Sequence, residues 1–259
     1  MGNTRYGALA KTKNWRQVIA LLASEEGTGD QVAAQTLHAA RNALLRLQDD
    51  PTLAYCGYLL THFAWEARNQ RLSEFLSLIG IASEQSENPA RLMGALARLF
   101  TKKRFEFGRV NALSEITEET LLETVQRTLS SGSQLLFESG FQEIESAFRA
   151  HSTPKGFSVL TTTFFSAFLK RTLGYFLSKE ISNHVGPARR FDTPAKLSAF
   201  EQGIHRFCSE NAKILDQYGR DWYSLHTFQD RINERDARAF LRLALEKISK
   251  EIARDGGQA

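Results

Sequence analysis

Apolar residues recur every three or four positions along nearly the whole chain, the period of a helix that buries one face. The first such stretch, 14–24, carries Trp15, Val18, Ile19 and Leu22 and breaks at Gly27 and Gly29. Asp30 caps a second, with Val32, Leu37, Ala40, Leu44 and Leu47 in one stripe. Asp50-Pro51 then sets a capping side chain before a proline at the first helical position, where the missing N–H costs nothing. Tyr55, Leu59, Phe63 and Ala67 follow, and Leu72, Leu76 and Ile79 mark a further helix. The same device recurs at Asn88-Pro89, ahead of Leu92, Leu96, Leu99 and Phe100, and at Thr193-Pro194, ahead of Leu197, Phe200, Ile204, Phe207 and Leu215. Between them, acid at Glu118 and Glu119 complements the dipole of a helix bearing Leu121, Leu122, Val125 and Leu129. Another helix is expected over 133–150, through Leu136, Phe137, Phe141, Ile144 and Phe148.

The stretch 158–182 is the most apolar, with Phe164, Phe165, Phe168, Leu169, Leu173, Phe176, Leu177 and Ile181 covering a wide arc. A helix apolar over so much of its circumference belongs at the centre of a bundle. A last helix starts at Asn233 and carries Ala237, Phe240, Leu241, Ala244, Leu245 and Ile248. These patterns predict an all-α fold, a multi-helix bundle of about eight to ten helices with no strand pair. Two stretches lack the period: 101–114, which reads as a basic loop, and 219–232, which reads as an irregular aromatic segment. His151 to Gly156, with Pro154 inside it, is the expected internal boundary, dividing an N-terminal bundle (1–150) from a C-terminal one (157–254). One continuous domain is the alternative. Trp15, Val18 and Leu22 resemble the opening of a tetratricopeptide unit, but the next stretch does not repeat it.

Composition adds little to the fold and more to the setting. The 259 residues are 42% hydrophobic and 24% charged, an ordinary globular balance. No run approaches the ~18 apolar residues of a bilayer span. Lys11, Lys13, Arg16 and Gln17 interrupt any signal-peptide core, and Tyr6 stands where a myristoylation signal has Ser or Thr. Two cysteines, Cys56 and Cys208, are too few for a disulfide scaffold. A cytoplasmic protein with no membrane contact is expected. The net charge of +4 permits nucleic-acid binding without demanding it.

The chain has no GxxxxGK[ST] loop, GxGxxG turn, HExxH helix or GxSxG elbow, and no cofactor is expected. Four groups of residues remain as candidates. Arg220-Asp221-Trp222-Tyr223-Ser224-Leu225-His226 resembles the Arg–polar–spacer–His motif of HEPN ribonucleases, which are small all-α domains. The resemblance implies that Arg220 steadies a phosphate across a dimer cleft while His226 moves the proton of a ribose hydroxyl. His205 and Cys208, one turn apart, could share an ion with His184 or His226, but a second closely spaced pair is missing and no metal site is expected. Lys102, Lys103, Arg104 and Arg109, interleaved with Phe105 and Phe107, form a candidate nucleic-acid surface, and Arg189 and Arg190 beside Phe191 form a second. Trp222, Tyr223 and Phe228 suit the anchors of a protein interface.

The C-terminal third, from Phe176-Leu177-Ser178-Lys179-Glu180-Ile181 through Trp222-Tyr223-Ser224 to the helix after Asn233, resembles uncharacterised helical proteins of bacteria. Some of those are accessory subunits of multi-gene operons, anti-phage systems among them. That resemblance implies a protein partner encoded by a neighbouring gene. The leading expectation is therefore a non-catalytic interaction protein. The HEPN-like ribonuclease and the nucleic-acid binder are its alternatives.

Overall fold

The computed structural model describes residues 12–108, 111–131, 140–229 and 231–255. It is all-α, as the periodicity predicts; among the described residues the only β feature is one isolated bridge, between Val185 and Phe191. The helices are α1 (Lys13–Ala23), α2 (Gly29–Leu47), α3 (Pro51–Arg68), α4 (Leu72–Leu78), α5 (Pro89–Phe107), α6 (Ala112–Ser130), α7 (Phe141–Arg149), α8 (Pro154–Asn183), α9 (Pro194–Lys213), α10 (Leu215–Phe228) and α11 (Glu234–Asp255). Among the described residues no helix is long and apolar enough to cross a membrane.

The helix starts follow from local chemistry. Asp50 accepts the backbone N–H of Thr52 at 2.8 Å, Asn88 that of Arg91 at 3.0 Å, and Thr193 that of Lys196 at 3.4 Å, each just before its proline. The 151–156 segment works the same way: Thr153 accepts from the N–H of Gly156 at 3.0 Å and Pro154 opens α8. It is a helix start rather than a linker, and buried side chains from both sides of it form one continuous core. Phe63 of α3 lies 4.9 Å from Phe148 of α7, and Arg149 donates to the carbonyl of Ala67.

Two expectations are corrected. The basic stretch 102–107 is not a loop but the last turns of α5, because Phe100 and Phe107 both pack edge-on against Tyr55 and hold the helix down. The aromatic segment after Gly219 is likewise helical as far as Phe228. Of the helix expected over 133–150, the part from Phe141 is present as α7; Leu136 and Phe137 lie outside the described residues.

Helices α3 and α8 form the centre. Buried residues occur on nearly every side of both, so neither has a broad polar face. Helix α11 crosses α3 at Gly57, where a Cβ would stand 2.8 Å from the carbonyl oxygen of Ala237; the crossing needs a glycine there. Helix α6 lies against both central helices. Its buried Thr117, Thr120, Thr124 and Thr128 each return their hydroxyl to the carbonyl four residues back, which leaves a methyl face for packing. Asp50 joins the starts of α3 and α6 by accepting from Ser114 Oγ at 2.6 Å and Asn111 Nδ2 at 3.3 Å. Arg171 of α8 reaches Glu119 and Glu123 of α6 at 2.7 and 2.8 Å.

Candidate functional site

Helix α10 carries the Arg–His pair and the three aromatic residues singled out by sequence. Its Leu215, Gly219, Trp222, Tyr223 and His226 fall on the buried side, and Asp221, Ser224, Leu225 and Phe228 on the exposed side. Gly219 lets α10 approach α8, where a Cβ would meet Ser158 Cα at 3.1 Å. Tyr223, fully buried, stacks on Phe157 of α8 at 4.6 Å between centroids, and Trp222 rests on Phe240 of α11 at 4.7 Å. These two rings are therefore part of the core, where they hold α10 in place, and are not on the surface. Phe228 is 91% exposed and Leu225, one turn before it, 55% exposed.

The Arg–His pair is drawn apart by the helix itself. Six residues advance about 9 Å along the axis and turn about 120° the short way round, so the two side chains leave on different sides. Arg220 closes onto Asp216, with Nη2 2.9 Å from Oδ2, and Asp216 also accepts from Ser158 Oγ at 2.6 Å. The Ser158 hydrogen bond and then the guanidinium hold the Asp216 carboxyl below its ordinary range. His226, 7% exposed, stacks on Trp222 at 4.0 Å, its Nδ1 donates to the Trp222 carbonyl at 2.7 Å, and its Nε2 lies 3.4 Å from Asp236. Both ring nitrogens already face protein acceptors. A general acid or base must have one nitrogen open to substrate.

The basic candidates are mostly engaged inside the molecule. Lys103 pairs with Glu106 at 2.6 Å, and Arg104 clasps the buried Glu118 with two bonds of 2.8 and 3.0 Å. Burial lifts the Glu118 carboxyl above its ordinary range, and Arg104 pulls it back. Lys102 is exposed, as is Phe105 at 85%, while Arg109 lies outside the described residues. Arg189 donates to the carbonyl of Asn183 at 2.6 Å. Arg190 is structural: it donates to the carbonyls of Leu21, Leu22 and Gly27 at the end of α1 while lying over the rings of Phe191 and Phe200. It caps α1 and ties it to α9, because a guanidinium can reach several carbonyls and still stack.

Cys208 is buried and its thiol is pushed up to about 12 by burial, whereas His205 is exposed. Among the described residues no group of three or more His, Cys, Asp or Glu side chains is gathered as an ion would require. The exposed Leu225 escaped sequence reading, although its spacing of three from Trp222 and from Phe228 is legible once the segment is taken as helix. Comparison with family models, with curated proteins and with solved structures finds no match to this chain.

Proposed function

We propose that this protein is a non-catalytic helical interaction protein, an accessory subunit whose docking surface is the exposed row Asp221, Ser224, Leu225 and Phe228 at the end of α10. The observation that carries the reading is the contrast across one short helix. Trp222 and Tyr223 anchor it in the core, while Phe228, five residues beyond Tyr223, stands 91% in water. A lone exposed apolar residue is ordinary, but a phenylalanine with a leucine beside it on a rigidly held helix is the layout of an interface anchor. The partner surface it fits is an apolar pocket with a polar rim. The resemblance of the C-terminal third supplies a setting, a bacterial multi-protein assembly in which defence against phage is one role. The local engagement of Arg220 and His226 favours this reading over the ribonuclease, and the pairing of Lys103 and Arg104 favours it over the nucleic-acid binder.

The test is co-purification with the product of a neighbouring gene, wild type against Phe228→Asp and Leu225→Asp. Both variants are expected to keep the wild-type melting curve and lose the partner. A partner retained by both variants, or a wild-type chain that purifies alone in the presence of each neighbouring product, refutes the proposal.

A further inference from the structure

A second feature lies away from α10. Helices α8 and α9 leave between them a groove of about 560 Å³, within the usual ~300–1,000 Å³ of small-molecule sites and in a usual place for one, between bundle helices. Its lining is largely apolar, with Leu173, Leu177 and Ile181 from α8 and Leu197 and Ile204 from α9, and Ser178 and Ser182 set among them. From Lys170 to Ser182 it follows about 18 Å of α8, with Val185 just beyond the helix. It is therefore long and narrow in proportion, a trough suited to a chain rather than to a flat ring.

Gly174 opens this trough. A glycine in mid-helix costs ~0.5–1 kcal/mol relative to alanine, so it normally marks a tight crossing. Gly57 and Gly219 are such crossings, but a Cβ on Gly174 would meet nothing within 4 Å. Packing within the chain does not call for this glycine. What it does is keep a side chain out of the groove.

Charge orients the occupant. Lys170, at one end, makes no ion pair among the described residues. His205 lies beside it; burial and then Lys170 lower its pKa, favouring the neutral ring. Glu201, one turn before His205 on the α9 wall and acting on that ring with the opposite sign to Lys170, is the one carboxylate lining the groove and weakens the hold of Lys170 on an anion. An anionic head is thus drawn to Lys170, and the apolar remainder of the trough takes its tail. We propose that the α8–α9 groove binds a free single-chain amphiphile of the fatty-acid class, its carboxylate against Lys170 and its alkyl chain along Leu173, Leu177 and Ile181. This site is separate from the α10 row and stands whether or not that row binds a partner.

The test is isothermal titration of the full chain with dodecanoate, kept below its micellar concentration, and with dodecyltrimethylammonium, which shares the tail and reverses the charge. Dodecanoate is expected to bind saturably at one site, and the cation at least about tenfold more weakly, a difference of about one exposed ion pair gained and one lost. Gly174→Leu should abolish binding by filling the trough, with the melting temperature unchanged or raised, because leucine is the better helix former. Lys170→Glu, an exposed change that does not disturb the core, should invert the preference between the two heads. Glu201→Gln should tighten dodecanoate. Absence of saturable dodecanoate binding, binding unchanged in Gly174→Leu, or indifference to head charge overturns the proposal, and the last of these would mark a nonspecific apolar surface.

Discussion

Removing Trp222 and removing Phe228 separate anchoring in the core from docking, two roles that fall to different members of one aromatic cluster. Trp222 is 9% exposed and lies against Phe157, His226 and Phe240 at centroid distances of 5.7, 4.0 and 4.7 Å. With ~200 Å² of aromatic surface withdrawn from water at ~25 cal/mol/Å², its burial is worth about 5 kcal/mol as an upper bound. Truncation leaves a cavity between α8, α10 and α11, and cavities of that kind place Trp→Ala at about 4 kcal/mol. For a chain of this length that lowers the melting temperature by about 10 °C. Phe228→Ala should instead fall within about 0.5 kcal/mol of wild type, since almost nothing covers the ring.

Thermal unfolding followed by far-ultraviolet circular dichroism, with urea midpoints as a second measure, reads both variants. A Trp222→Ala protein that melts with wild type would show that α10 is not anchored through this ring. A Phe228→Ala protein that loses as much stability as Trp222→Ala would show that Phe228 is a core residue, and the docking row would then have no anchor.

Three further outcomes follow from buried chemistry. Arg104→Ala strands the Glu118 carboxylate in a buried site and should cost about 2 kcal/mol at pH 7. Because Glu118 already holds its proton more tightly folded than unfolded, and more so without Arg104, that cost should shrink as pH falls toward 4; equal urea midpoint losses at pH 7 and pH 4 would contradict this. Arg190→Ala, which gives up three carbonyl contacts and two ring faces, should cost about 2–3 kcal/mol, and Arg190→Lys should recover little of it; full rescue by lysine in the same melts would refute the capping role. Burial pushes the Cys208 thiol up to about 12 and the Cys56 thiol well above its ordinary value, so at pH 8 iodoacetamide should label both only after unfolding in urea, as mass spectrometry would show.

Where local chemistry decides an element, this chain is readable from its residues. Asp50-Pro51, Asn88-Pro89 and Thr193-Pro194 each announce a helix that is there. Thr153-Pro154 is the same signal, obscured by His151 and Gly156, which look like one turn; His151 closes the end of α7 and Gly156 lies in the first turn of α8. The stretch after Phe100 reads as a loop because cations and aromatics alternate there. Yet Phe100 and Phe107 are one heptad apart, the spacing of two residues on one face, and both meet Tyr55. What could not be read is any feature made by two distant helices. The α8–α9 groove depends on the separation of Leu177 from Ile204, and its only local trace is a glycine that nothing nearby requires.

The α10 segment shows why side-chain identity alone misleads about role. Arg220 and His226 have the chemistry of a phosphate site, and Trp222 and Tyr223 that of an interface, but a helix assigns each residue to a side before chemistry can act. The side facing α8 and α11 takes 215, 219, 222, 223 and 226, and so turns both large rings into core and His226 into a partner of Asp236. Arg220 falls on the flank, where Asp216, one turn back, is its nearest anion. Solvent is left with 217, 221, 224, 225 and 228, of which the last four fall within one arc of the helix and therefore form a single row. The apolar pair in that row draws nothing from the fold that exposes it, so its removal should be silent in stability and visible only in association.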